Sequence, residues 1–250
     1  MRKLLIGFCM SWGNFCFIPG PKKWDEEARP YMLGWLPTVS AIMGLIWAFC
    51  FYIFSRISLP VMAVSAILTW APFVLSGFIH VDGYMDVNDA VMSRGTLEKK
   101  RAILKDSRCG TFAIVSLIFL VLVEFGFMAS ALEAGTVNMS RLVVIMTVSR
   151  SFSALMMMTL KPMNTSQYTE MKRDSKAEVF LIVQVLLWTA IAALLSGGEA
   201  LKVLLTAGLC LLGTLVSIFM ARRELQGMNG DIAGYGILWG ELLGIVSLIF

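Results

Sequence analysis

The chain has 250 residues, 58% of them hydrophobic and only 15% charged, with a formal net charge of +4. Its mean hydropathy of +0.76 exceeds what one soluble core can hide, since soluble domains run about 45–50% apolar and about 25% charged. The excess predicts an all-α, polytopic integral membrane protein forming a single domain over 1–250. The lack of strict alternation excludes an outer-membrane barrel, and the modest, unevenly placed charge excludes a nucleic-acid reader.

The first apolar segment, Leu4 to Ile18, covers about 22 Å at 1.5 Å per residue, short of the roughly 30 Å hydrocarbon core. Gly13 and Asn14 interrupt it, and the run P-G-P-K-K-W-D-E-E that follows offers no small-x-small cleavage site. It reads as a short interfacial or re-entrant helix rather than a leader. Seven stronger segments follow, at 35–54, 60–78, 111–132, 140–160, 179–196, 201–220 and 232–250, each near the length a helical span requires.

Their connections alternate between long charged loops, at 19–34, 79–110, 161–178 and 221–231, and very short ones. Fifteen of the 21 Lys and Arg lie in the long loops, and only Arg56, Arg141 and Lys202 in the short ones. That asymmetry places the long loops in the cytoplasm, with the chain multi-pass in a cell (inner) membrane. The five cysteines, at 9, 16, 50, 109 and 210, show no paired spacing, so neither a disulfide framework nor a zinc site is expected. Cys109 lies in a polar loop but has no second histidine to activate it as a nucleophile.

Ser76 to Thr111 is the longest polar interruption and holds the single histidine, His80. Asp82, Asp86 and Asp89 stand at i, i+4 and i+7, one stripe on an α-helix. Like charges at that spacing cost a helix about 0.2–0.5 kcal/mol per pair, and a divalent cation is the natural compensator. Hard carboxylate oxygens without cysteine favour Mg²⁺, with Mn²⁺ as the substitute, and Mg²⁺ takes one or two carboxylates plus water and substrate phosphates. The stripe therefore points to phosphoryl transfer, although a solvated face or a helix N-terminal cluster has the same pattern.

Within that stretch Gly83 allows a bulky ligand near the backbone, and His80 either orients the aspartates or transfers a proton. Lys105 and Arg108 are suited to clamp phosphate oxygens, and Asp106 to bind metal or accept a proton. Anchoring at the membrane edge is the plainer role for the two cations.

The residues H-V-D-G-Y-M-D-V-N-D-A and K-D-S-R-C-G-T resemble the H-x-D-G-L-x-D-x-x-D-G and K-D-S-R-x-G-T signatures of the cobalamin synthase (adenosylcobinamide-GDP ribazoletransferase) family. Q-G-M-N-G-D-I-A-G-Y-G-I-L-W-G-E-L, at 226–242, is similar to that family's closing stretch, and V-S-R at 148–150 to its mid-chain S-R. The resemblance implies a Mg²⁺-dependent membrane phosphotransferase joining adenosylcobinamide-GDP and α-ribazole, or its 5′-phosphate, with release of GMP. It also implies a homo-oligomer or other corrinoid-assembly enzymes as further partners. The chain departs from the family pattern at Tyr84, Met85, Ala90, Glu124 and Asn229, in F-C-F-I-P-G-P at 15–21, and in the loop at 161–178.

Arg150 and Glu241 each lie about 15 Å deep in their spans. An isolated charge there costs about 2.5–3.5 kcal/mol or more on insertion scales, so a mutual pair beneath the pocket is expected, with separate polar cavities as the alternative. Asp231, with Gly230 before it, returns to the face that carries Asp82, Asp86 and Asp89, as a helix cap or as a fourth metal or phosphate group. Arg150 is expected to reach the same face. Two other functions fit parts of the pattern: a CDP-alcohol phosphotransferase, whose D-x2-D-G-x2-A-R array is missing, and a transporter, whose inverted repeat is missing. Met156 to Met158 read as core or lipid-facing filler.

Overall fold

The computed structural model describes residues 2–106, 108–164 and 166–250; Ser107, inside the K-D-S-R run, lies outside them. Eleven α-helices account for most of the described chain: α1 (Arg2–Phe15), α2 (Arg29–Gly34), α3 (Leu36–Phe54), α4 (Val61–Leu75), α5 (Ile79–Met92), α6 (Leu97–Ile103), α7 (Thr111–Glu133), α8 (Met139–Thr159), α9 (Ser175–Leu194), α10 (Ala200–Leu225) and α11 (Gly230–Ser247). One parallel bridge, Pro162 with Met228, joins two loops.

Helices α8 and α11 form the centre. Of the most apolar window of α8, 78% is buried inside the protein, against 28% for α7 and for α9. The outer helices turn large apolar side chains outward, among them Phe119 and Leu122 of α7, Leu186 of α9 and Leu204 of α10. That is the arrangement of a bundle solvated by lipid rather than water.

Five helices, α3, α7, α8, α9 and α10, have the length and apolarity of a membrane span, and α4 with α5 makes a sixth if the bent pair counts as one. The expected seven are corrected accordingly. The last segment, α11, has 18 residues but falls short of span-like apolarity, because it carries Asp231, Glu241 and several glycines. It is buried by other helices and has no need of a lipid-facing surface.

The second correction concerns 60–78 and the polar loop expected after it. The first helix stops at Leu75 and a new one starts at Ile79, with the two axes 91° apart. Gly77 and Phe78 both adopt left-handed backbone (φ 60° and 62°), through which a right-handed helix does not continue. The charged connection therefore begins at Ser93, and the aspartate stripe rides on a packed helix.

All four charged connections meet at one end of the bundle. Lys3 pairs with Glu27 at 2.8 Å, Arg29 donates to the carbonyl of Gln167 at 2.7 Å, and the Met163 N–H donates to the Met228 carbonyl at 2.9 Å. Lys100 pairs with Glu224. At the other end Asn138 donates to Ser196 and Glu199, and buried Arg141 caps the end of α11 through the carbonyls of Ser247 and Phe250. Helix α1 starts at the charged end, and the Phe17 N–H reaches the Leu75 carbonyl at 2.8 Å before the chain returns to Glu27.

Arg150 of α8 and Glu241 of α11 are both buried, at 0% and 2% exposure, and form the expected ion pair. Removing one partner leaves the other charge buried alone, a loss of about 3–5 kcal/mol. Arg150→Met and Glu241→Gln are each expected to lower stability in detergent by that order, with the double variant losing clearly less than the sum. Additive losses in thermal unfolding would show that the two charges do not depend on each other.

Candidate functional site

The site is built where α5 crosses α11, and two glycines permit the crossing. A Cβ on Gly83 would stand 2.8 Å from the Asp231 Cα, and one on Gly234 would stand 3.0 Å from the His80 carbonyl oxygen. Without side chains at either point the two backbones touch. Asp82 and Asp86 of α5 are thereby brought to Asp231 in the first turn of α11, and Asp86 lies in the electrostatic field of Asp82, Asp231 and Asp89 together.

The start of α11 is fixed by Asn229. Its Oδ1 accepts the Ile232 N–H at 3.0 Å, and its Nδ2 donates to Asp231 Oδ2 at 2.5 Å. Asn229 is thus the N-cap, and Asp231 sits inside the turn with one oxygen held. A carboxylate here also faces the positive end of the helix dipole.

A cavity of about 140 Å³ opens between these elements, lined by His80, Asp82, Asp231, Ser153, Gln167 and Tyr168 among others. His80 is buried beneath it, its ring stacked on Phe15 with centroids 6.4 Å apart, and its Nε2 has no protein partner. A wider cavity of about 560 Å³, lined by Asn14, Phe17, Ser76, Phe78, Ile79 and Asp82, adjoins it through Ile79 and Asp82. Asp82, exposed, faces both.

Gly110, which precedes α7, lies against the far end of α5. It packs so closely on Asp89 that a Cβ there would overlap both carboxylate oxygens. Arg108 is exposed and engages Asp106, donating from Nε to Oδ1 at 3.0 Å and from Nη2 to Oδ2 at 2.7 Å. That side-chain pairing, helped by the Arg108 backbone N–H, holds the Asp106 carboxyl down at about 2. Lys105 is exposed.

The structure therefore gathers Asp82, Asp86, Asp89, Asp231, Gly83, Gly230 and His80, and sets Lys105, Asp106 and Arg108 in the loop beside Asp89. Arg150 lies apart from the cavity lining, in the core beneath His80, where its charge is engaged by Glu241. Among the described residues no three His, Cys, Asp or Glu side chains form a ready-made metal cage. The donors are all hard oxygens, a set that suits a cation needing only one or two carboxylates and completing its shell with water and phosphate.

Sequence reasoning missed Phe15, Gln167 and Tyr168, which arrive from the end of α1 and from a loop without periodicity. It also passed over Gly234, four residues after Gly230 in a stretch it had singled out.

A family model described as cobalamin-5-phosphate synthase matches residues 7–249. The chain is 31% identical over 243 residues to the adenosylcobinamide-GDP ribazoletransferase of Clostridium perfringens (strain 13), covering 96% of this chain and 95% of that one. It is 30% identical over 251 residues to the protein of that name from Clostridium botulinum (strain Alaska E43), covering 99% and 98%. For the one from Geobacillus sp. (strain WCH70) the identity is 27% over 241 residues, covering 94% and 91%. No solved structure matches.

The helix crossing makes a direct prediction. Gly83→Ala forces the Asp231 backbone away and is expected to cost about 1–3 kcal/mol of stability. Gly126→Ala on α7, where a Cβ meets nothing within 4 Å, is expected to be neutral or slightly stabilising. Thermal unfolding of the two variants in detergent, with equal behaviour as the contrary result, checks the assignment.

Proposed function

Because the chain belongs to the cobalamin-5-phosphate synthase family, we propose that it transfers the adenosylcobinamide-phosphate group of adenosylcobinamide-GDP to α-ribazole or its 5′-phosphate. A ribose hydroxyl forms a new bond to the corrinoid-side phosphorus, the bond from that phosphorus to GMP breaks, and the hydroxyl proton is given up. The products are GMP and adenosylcobalamin or its 5′-phosphate. The observation that carries this reading is the convergence of Asp82 and Asp231, from two distant stretches, on one cavity in the charged end of the bundle, with Asp86 in the field of both.

Displacement at phosphorus is mainly positioning and charge neutralisation. Asp82, Asp86 and Asp231 would hold Mg²⁺, with Mn²⁺ as the substitute and Asp89 as an outlying carboxylate. The cation, when bound, neutralises diphosphate oxygens and the leaving GMP. Asn229 keeps one Asp231 oxygen aimed, and Gly83 and Gly234 keep the carboxylates within reach of one another. His80, whose buried Nε2 is free of protein partners, receives the proton of the attacking hydroxyl or orients Asp82. Lys105 and Arg108, at the edge of the loop, meet the phosphates of the incoming substrate. The Lys and Arg asymmetry sets this end of the bundle in the cytoplasm, where the nucleotide substrates are.

Detergent-purified protein given adenosylcobinamide-GDP and α-ribazole is expected to release GMP and form the cobalamin product with Mg²⁺, and to stop in EDTA. Absence of GMP with every divalent cation tried, and with either form of ribazole, would overturn the reading. Asp82→Asn and Asp86→Asn are expected to lower turnover by about a hundredfold or more while unfolding at the wild-type temperature. Wild-type turnover in either would remove the metal from the mechanism.

A further inference from the structure

The two halves of the site come from opposite ends of the chain, and a single guanidinium joins their supports. Arg101 near the end of α6 donates from Nε and Nη2 to the Leu225 carbonyl, both at 3.1 Å, and from Nη2 to the Gln226 carbonyl at 2.9 Å. Leu225 closes α10, so its carbonyl has no intrahelical donor. Gln226 holds left-handed backbone with φ 53°, a conformation that a residue with a side chain seldom keeps unaided. An arginine suits this place because its planar fork serves successive carbonyls, and its charge opposes the negative ends of α6 and α10.

The run Gln226 to Gly230 then leads directly into Asp231. Its other flank is held by the 161–163 segment. A Cβ on Gly227 would stand 2.9 Å from the Met163 Cα, and the Met228 N–H donates to the Lys161 carbonyl at 3.0 Å. From the side of the aspartate stripe the hold comes through α6, whose chain continues through Lys105 to Gly110, packed on Asp89. The neighbouring Lys100 to Glu224 pair joins the same helices through a side chain before the end of α10 and does not touch the run.

We propose that Arg101 is a positioning residue: by capping α10 it sets the Gln226–Gly230 run, and so fixes where Asp231 stands against Asp82 and Asp86. This rests on the reading of Asp231 as part of the reaction site.

The test compares Arg101→Gln, Arg101→Lys and Lys100→Met in the full chain. Arg101→Gln is expected to lower kcat about tenfold to a hundredfold, as a small misplacement of a reacting group does, with KM for adenosylcobinamide-GDP little changed. Arg101→Lys should recover part of the loss, and Lys100→Met should keep wild-type kcat with a comparable shift in unfolding temperature. A second readout needs no activity: spin labels at Met92 and Gly230, with the exposed Cys109 replaced, report the α5 to α11 distance. That distance should broaden or shift in Arg101→Gln and stay narrow in Lys100→Met. Wild-type kcat in folded Arg101→Gln, an equal fall in both variants, or an unchanged distance would overturn the proposal. If the wild-type chain releases no GMP, the functional reading falls, and the distance alone decides whether Arg101 places Asp231.

Discussion

Backbone contact between α5 and α11 is the constraint from which the rest of the structure follows. Helices with ordinary side chains at the crossing keep their axes about 8–10 Å apart, a separation at which the carboxylates of the two helices would face solvent independently. With glycine at 83 and 234 the peptide units themselves meet, and Asp231 comes within the field of Asp82 and Asp86. Three carboxylates so placed repel one another, and two features of the protein lessen the cost. One is the N-terminus of α11, which presents unpaired N–H groups beside Asp231; the other is the Asn229 amide, which holds one Asp231 oxygen. What remains is negative charge, which the proposed divalent cation would neutralise.

The second organising requirement is that charge inside a bilayer be enclosed by protein. The polar residues of the interior, Arg141, Arg150, Glu241 and a series of serines and threonines, lie mostly on α8, α10 and α11, and α8 and α11 are enclosed by the helices around them. Glu124 joins them from α7, an outer helix most of whose apolar window is not buried; it is 1% exposed and lies in the field of Glu241. The unpartnered buried atoms His80 Nε2, Arg150 Nε and Glu124 Oε1 extend from the floor of the cavity into this interior. The site therefore sits on a polar column instead of an apolar floor.

Much of this was legible in the sequence, for physical reasons that can be named. Apolar length located α3, α7, α8, α9 and α10, because lipid imposes a minimum run and few substitutes. The i, i+4, i+7 spacing of Asp82, Asp86 and Asp89 survived as one helix, and the depth argument paired Arg150 with Glu241, since an unpaired charge at that depth is too costly to persist. Departures from the family pattern were also interpretable: Asn229, where threonine is usual, keeps the cap and adds a donor to Asp231. The end of α4 was not legible, because apolar residues continue through Phe78 and Ile79 while the backbone turns left-handed. Nor were the partners of Arg101, since a basic residue in a charged loop looks like a membrane anchor until its acceptor carbonyls are in place.

The break at Gly77 and Phe78 answers a problem of length. A straight helix from Val61 to Met92 would run about 48 Å at 1.5 Å per residue, well beyond the roughly 30 Å of hydrocarbon, and it would carry the aspartate stripe away from α11. Ending α4 after 15 residues uses about 22 Å of depth, and the 91° turn then redirects α5 across the bundle. The same turn leaves Ser76, Gly77 and Phe78 lining the wider cavity beside Asp82. A backbone feature that a membrane span would ordinarily avoid is tolerated here because the N–H groups of Ser76, Gly77 and Phe78 find carbonyls in the last turn of α4 and the break borders an opening instead of lipid. The bend thus fixes both the direction of the carboxylate helix and the approach to it.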